Sequence, residues 1–200
     1  MIHKTPTHPV LMFVAILSVM GLIPVPEGSE KAVIEVTVRE GTNMAAALSP
    51  DGRTMAIDAL GRIWTLPATG GTAIALTDPE GDARQPSWSP DGTRIAFQAY
   101  WAGDYDIWAV NVDGSGLAQI TSGPFDDREP HWSPEGSSIA FSSDRSGTYD
   151  IWEVALVDGE AQRLTNGGDN EYGPAYSPAG DALAYVADGT STGVWIRSSL

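Results

Sequence analysis

Few groups in this chain have the type and spacing for covalent chemistry. Gly189-Thr190-Ser191-Thr192-Gly193 fits the Gly-x-Ser-x-Gly pattern, in which a sharp strand-to-helix turn lifts a serine beside an oxyanion hole. No helical segment follows it, so ordinary loop composition accounts for the match. The histidines are His3, His8 and His131. His131 alternates with Trp132 on an extended run and points to the opposite face. A general base needs a proton within reach and a partner to orient it, and none is evident, so His131 reads as a packing or channel-lining side chain. The chain has no cysteine, which excludes disulfides, thiolate metal sites and cysteine nucleophiles. We assign no catalytic residue, no metal ligand and no cofactor.

Charged residues carry more information. Asp82-Ala83-Arg84, Asp126-Asp127-Arg128-Glu129 and Asn170-Glu171-Tyr172 stand at the same place in a recurring unit. Loop residues Tyr100, Trp101, Asp104, Asp144 and Arg145 belong with them. Two readings are open: ion pairs between Asp of one unit and Arg of its neighbour, or a mouth that binds a partner or a cation. No Asp-x-Asp-x-Asp loop supports a hard-cation site.

The elements that position these residues are written in the repeat. Ser89-Pro90-Asp91-Gly92 recurs as Ser133-Pro134-Glu135-Gly136 and Ser177-Pro178-Ala179-Gly180, each 44 residues on, with a further copy at Ser49-Pro50-Asp51-Gly52. Trp64, Trp108, Trp152 and Trp195 keep nearly the same beat, as do Thr77, Thr121 and Thr165. A period of 40–45 residues rich in short strands marks propeller blades. One unit parses as 84–89, a Pro-Asp-Gly turn, Ile95-Ala96-Phe97, Asp106 to Val110, and Leu117 to Thr121. Pro fixes φ in the turn and Gly takes φ > 0. Replacement of the turn Asp by Glu135 and Ala179 points to a turn-stabilising role. The Trp series reads as largely buried wedges between blades.

The expected fold is therefore all-β, a β-propeller of four-stranded antiparallel blades with repeats at about 39–78, 79–121, 122–165 and 166–200. Strand parity sends the four-to-one and two-to-three connections to one face and the Ser-Pro-Asp-Gly turns to the other. The last repeat lacks its fourth strand. Val33 to Val38 alternates like a strand and stands where it could pair with 194–197 and close a four-blade ring. Truncation of a larger propeller is the competing reading.

Net charge is −15 with only two lysines, Lys4 and Lys31. Nucleic-acid binding draws its affinity from Lys and Arg on phosphates, so that class is excluded, as is an anionic membrane surface. Residues 1–30 differ from the rest: an apolar run from Val10 to Ile23 follows a weakly basic start. That length suits a signal peptide or a retained N-terminal anchor, so a periplasmic or otherwise exported location is expected. Any membrane contact would run through this segment alone.

The pattern Pro86-Ser87-Trp88-Ser89-Pro90-Asp91-Gly92, Ile95-Ala96-Phe97, Asp106-Ile107-Trp108, Asp113-Gly114 and Ile120-Thr121 resembles the repeat of TolB-type propellers. The resemblance covers residues 33–200 within a 31–200 propeller domain. It implies a non-catalytic scaffold or binding module with a protein partner. A narrower similarity is carried by Glu40-Gly41-Thr42-Asn43-Met44, Gly61-Arg62-Ile63-Trp64-Thr65-Leu66-Pro67 and the stretch from Gly123 to Pro134. These look like propellers fused ahead of exported metal-dependent amidohydrolases, which would make the partner a catalytic domain of a longer chain. A free-standing periplasmic interaction module like TolB is the alternative.

Overall fold

A Pro-x-Gly turn sends the chain back on itself four times, with Asp, Asp, Glu and Ala at the central position. The computed structural model describes residues 44–101, 103–189 and 193–198. In each Ser-Pro-x-Gly turn the glycine N–H donates to the serine carbonyl at 2.8–2.9 Å, and the glycine φ is 70–74°. Only glycine adopts that angle without a Cβ penalty. In two turns an aspartate adds the expected clamp. Asp51 Oδ1 accepts from Ser49 Oγ (2.6 Å) and Arg53 N (3.0 Å), and Asp91 Oδ1 does the same for Ser89 Oγ and Thr93 N. Where Ala179 removes the carboxylate, Asp181 supplies one to Ser177 Oγ at 2.8 Å.

The strands that these turns join make four antiparallel sheets. The first contains β1 (Ala46–Leu48), β2 (Thr54–Ala59), β3 (Arg62–Pro67) and β4 (Ile74–Ala75). A short 3-10 turn at Pro79–Gly81 leads to β5 (Arg84–Trp88), β6 (Arg94–Tyr100), β7 (Tyr105–Asn111) and β8 (Ala118–Gln119). The third holds β9 (Asp127–Trp132), β10 (Ser138–Ser143), β11 (Asp150–Ala155) and β12 (Ala161–Arg163). The fourth has three strands, β13 (Asn170–Tyr176), β14 (Ala182–Asp188) and β15 (Gly193–Ser198). Strand order follows chain order in every sheet. First strands of successive sheets pack on one another, and the second strand of each packs on the first strand of the next. This is the blade arrangement expected. The strand expected at Val33 to Val38, and with it ring closure, lies outside the described residues.

Fourth strands are shorter than the sequence suggested, for a local reason. At Thr77, Thr121 and Thr165 the hydroxyl, rather than a backbone carbonyl, becomes the acceptor for the third strand. Each hydroxyl accepts the N–H of Ile63, Ile107 or Ile151 on the third strand at 2.9 Å. All three threonines are buried, where an unpaired N–H would be costly.

Hydrophobic clusters sit between blades rather than within them. One joins Ala56 and Ile63 of the first sheet to Ile95, Phe97 and Val110 of the second. The next joins Ala96, Ile107 and Ala109 to Trp132, Ile139, Phe141 and Val154. Phe97, Phe141 and Ile95 are wholly buried, each contributing roughly 1.5–3 kcal/mol. Trp64, Trp108 and Trp152 hold the expected equivalent register on third strands. Trp108 and Trp152 wedge into the interblade clusters, but they are partly rather than largely buried. Trp64 instead donates to Ala59 O of its own blade at 2.9 Å. The side chain of Trp195 lies outside the described residues. First-strand tryptophans tie the blades by hydrogen bonds: Trp88 Nε1 donates to Ala47 O (3.0 Å) and Trp132 Nε1 to Ser87 O (3.2 Å).

Candidate functional site: the loop end of the blades

Strand parity brings the charged segments and the two-to-three loops together. Asp126 N–H donates to Asp144 Oδ1 at 3.0 Å, and Arg145 pairs with Asp127 at 2.7 Å. At the other end, Pro50, Asp51, Asp91 and Gly92 share a cleft, so the turns cluster apart from these loops.

The charged residues do not pair as neighbouring blades. Arg84 binds Asp82 (3.0 Å) and Arg128 binds Asp126 (2.8 Å), each two residues back in its own segment. Each aspartate stands in the connection just before its strand, within reach of the guanidinium two residues on. Cross-blade contacts use tyrosine. Tyr105 N–H of the second blade donates to Asp126 Oδ1 of the third at 3.1 Å, while its phenol donates to Asp82 at 3.2 Å. Tyr149 repeats the pattern, N–H to Asn170 Oδ1 (3.2 Å) and phenol to Asp126 (3.2 Å).

These bonds build a stack. The Arg128 guanidinium lies 4.6 Å from the Tyr105 ring and 5.9 Å from the Tyr149 ring. Tyr149 meets Tyr172 at 5.1 Å, and Tyr105 meets Tyr100 at 5.2 Å. Cation–π contacts of this kind contribute about 0.5–2 kcal/mol. Burial first of all pushes the Tyr149 phenol up to about 12, so it stays a donor to Asp126 at neutral pH. Tyr100 and Arg84 are the most open members of this end.

Several expected mouth residues are not at the surface. Asp127 is fully buried and Glu171 nearly so, at 4% exposure. Alternation along β9 and β13 turns them inward, beneath Asp126 and Asn170. Arg145 follows Asp127 inward and packs 5.0–5.4 Å from the Trp152, Phe141 and Phe125 rings. Trp101 packs edge-on against Trp108 at 4.4 Å and covers Gly81. Asp104 is half-buried beside Asp106. Tyr105 and Tyr149 were missed in the sequence, although they lie 44 residues apart, as do Arg84 and Arg128.

Glu129 stands away from this stack on the innermost strands. Its carboxylate accepts from Ser142 Oγ (2.8 Å) and Gly173 N (2.6 Å). With Gln85, Pro86, Pro130, His131 and Pro174 it lines a groove along the first strands. His131 Nδ1 lies 3.1 Å from Trp132 O, and burial depresses its basicity, leaving a neutral ring at pH 7. Ser191 of the Gly-x-Ser-x-Gly match lies outside the described residues. Among the described residues no group of three or more His, Asp or Glu is arranged to hold a metal ion.

Four-stranded sheets packed second strand on first strand, with polar loops gathered at one end, define a β-propeller. The model of the TolB β-propeller domain matches residues 61–198. This chain belongs to that family. Among solved structures it is similar to a TolB-type protein of Agrobacterium tumefaciens, at 28% identity and TM-score 0.71, covering 76% of this chain and 60% of that one. TolB of Acinetobacter baumannii shares 23% identity over 78% of this chain and 41% of its own, TM-score 0.68. A puromycin-hydrolyzing peptidase of Mycobacterium tuberculosis shares the fold at 19% identity and TM-score 0.61, covering 76% of this chain and 29% of that one. The chain thus spans about 60% or less of these relatives. No curated protein matches it.

Proposed function

We propose that this chain is a TolB-type propeller module of an exported protein that docks a protein partner through the loop end of its blades and does no chemistry itself. The Tyr100–Tyr105–Arg128–Tyr149–Tyr172 stack carries the reading. Tyr and Arg dominate the energetics of protein interfaces, and here their rings are pre-ordered by Asp82 and Asp126, which lowers the entropy lost on docking. Export rests on the N-terminal apolar run and on the family resemblance.

A second reading makes the partner a catalytic domain of the same polypeptide, as in propellers fused to amidohydrolases. The observation favouring it is that the chain covers only 29% of a peptidase that bears this fold. The test of docking is Tyr100→Ala combined with Arg84→Ala, both open residues. A periplasmic pull-down should lose its partner while the melting temperature stays within about 2 °C. Equal capture by wild type and double variant removes the loop end as the docking surface. Continuation of the reading frame beyond Leu200 into a hydrolase domain would decide for the second reading.

A further inference from the structure

Beneath the tyrosine stack, the boundary between the second and third blades buries two carboxyl groups against one cation. Asp106 (6% exposed) is the second residue of β7 and Asp127 (0%) the first of β9. Asp127 Oδ2 takes the Arg145 guanidinium at 2.7 Å. Asp106 Oδ2 takes only the neutral amide of Gln119 at 2.9 Å. The remaining oxygens, Asp106 Oδ1 and Asp127 Oδ1, are buried with no hydrogen-bond partner. The Thr121 hydroxyl faces both carboxyls and favours their ionised forms, opposing burial, but it does not come within hydrogen-bond distance of either orphan oxygen. The other groups facing the pair are Ser143, beside Asp127, and Asp104, a further negative charge beside Asp106.

Two ionised carboxylates cannot share a dry site at low cost when only one cation faces them. A proton on one carboxyl cancels one of the two charges and lowers the cost of burying its unpartnered oxygen. We infer that Asp106 holds a proton beside the ionised Asp127 at the boundary between the second and third blades, making that boundary a joint that tightens in mild acid and loosens as the proton leaves to water. Asp106 fits as the holder. Burial first, then the Asp127 charge, raises it from 3.8 to about 6, and burial raises Asp127 as well.

The other boundaries provide internal comparisons. In the first blade's boundary, the equivalent positions are Arg62 and Ala83, so no pair exists there. At the boundary of the third and fourth blades, Asp150 and Glu171 recur with Arg163 on Asp150 at 2.7 Å, and Glu171 Oε2 is again without a partner.

The sign follows from proton counting. A folded-state value above the unfolded one means the native state holds the extra proton between them. Stability is therefore full below about pH 4 and falls as pH rises through about 6. Asp106→Asn keeps the shape and carries a permanent donor. In thermal melts of the full chain, Asp106→Asn should melt roughly 2–4 °C above wild type at about pH 8, and this advantage should vanish towards about pH 4.5. A difference independent of pH overturns the inference. So does calcium raising the wild-type melt at about pH 8 but not that of the variant, since a cation would then occupy the site. Should the variant fail to fold, wild-type chain with carboxyl-labelled aspartate answers by infrared spectroscopy. A protonated aspartate band at about pH 5.5 that disappears by about pH 8 is expected, and its absence at the lower pH overturns the proposal.

Discussion

The backbone N–H of Glu129 donates to the side-chain carbonyl of Gln98 at 3.0 Å, joining the first strand of the third blade to the second strand of the blade before it. Gln85 N–H makes the same bond to Asp58 Oδ2 (2.8 Å), and Gly173 N–H to Ser142 Oγ (3.2 Å). All three donors sit where the first strand slips register, with φ of 56°, 57° and 60°. The bulge turns a backbone donor sideways, out of its own sheet and toward the neighbouring blade.

Left-handed backbone costs a non-glycine residue roughly 1–2 kcal/mol, and Gln85 has no side-chain bond to repay it. Gln85→Gly should raise the melting temperature by about 1–3 °C, net of glycine's entropy loss. Glu129→Gly relieves the same angle but forfeits the bonds to Ser142 and Gly173, and should lower it. Equal shifts in the two variants would show that backbone strain is not the controlling quantity.

Gly81 lies under the Trp101 indole, and a Cβ there would come within 2.4–2.8 Å of three ring atoms. Gly81→Ala should push Trp101 off Trp108 at a cost of about 1–3 kcal/mol. Tryptophan fluorescence should shift to the red as the indole meets water. An unchanged spectrum with an unchanged melt would mean that the loop yields freely.

Thr77→Val keeps the shape of the side chain and removes the acceptor for the buried Ile63 N–H. Leaving that donor unpaired should cost about 1–3 kcal/mol in denaturant unfolding. Thr77→Ser, which keeps the hydroxyl, should cost markedly less. If Ser and Val are equally damaging, methyl packing rather than the hydrogen bond holds the fourth strand.

Asp91 is held below the ordinary carboxylate range by the Ser89 hydroxyl and then by the Thr93 N–H. A depressed value means that the folded state sheds its proton first. The turn's contribution is thus present above about pH 4 and is lost as pH falls through the folded value. Asp91→Ala should lower the melt near neutrality and converge with wild type in acid. A constant gap down to the acid limit would contradict the ionised clamp.

The 44-residue beat made the strands legible because every blade repeats the same turn chemistry and the same apolar second strand. Side-chain direction was harder to read. Asp126 and Asp127 are adjacent and chemically alike, yet alternation sends one to the loop surface and the other into a buried boundary. Applying the two-residue period through 126–129 would have separated them. Tyr105 and Tyr149 were hidden because a tyrosine at a strand start looks like ordinary core. The bulges were less visible still, since nothing in Gln or Glu announces positive φ. Gly173, in the register of Gln85 and Glu129, was the single cue.

The Glu129–Gln98 bond has a direction. The second and third blades each offer an acceptor forward from the second strand and a donor backward from the first, so one such repeat contains both halves of a complementary joint. Copying a 44-residue stretch of gene would therefore insert a blade whose two borders fit at once, without compensating changes elsewhere. Changing Gln98 to a residue that cannot accept would strand its neighbour while leaving its own joint to the preceding blade intact. Growth by duplication is in this sense written into the backbone, and the permissive variable is the blade number rather than the blade.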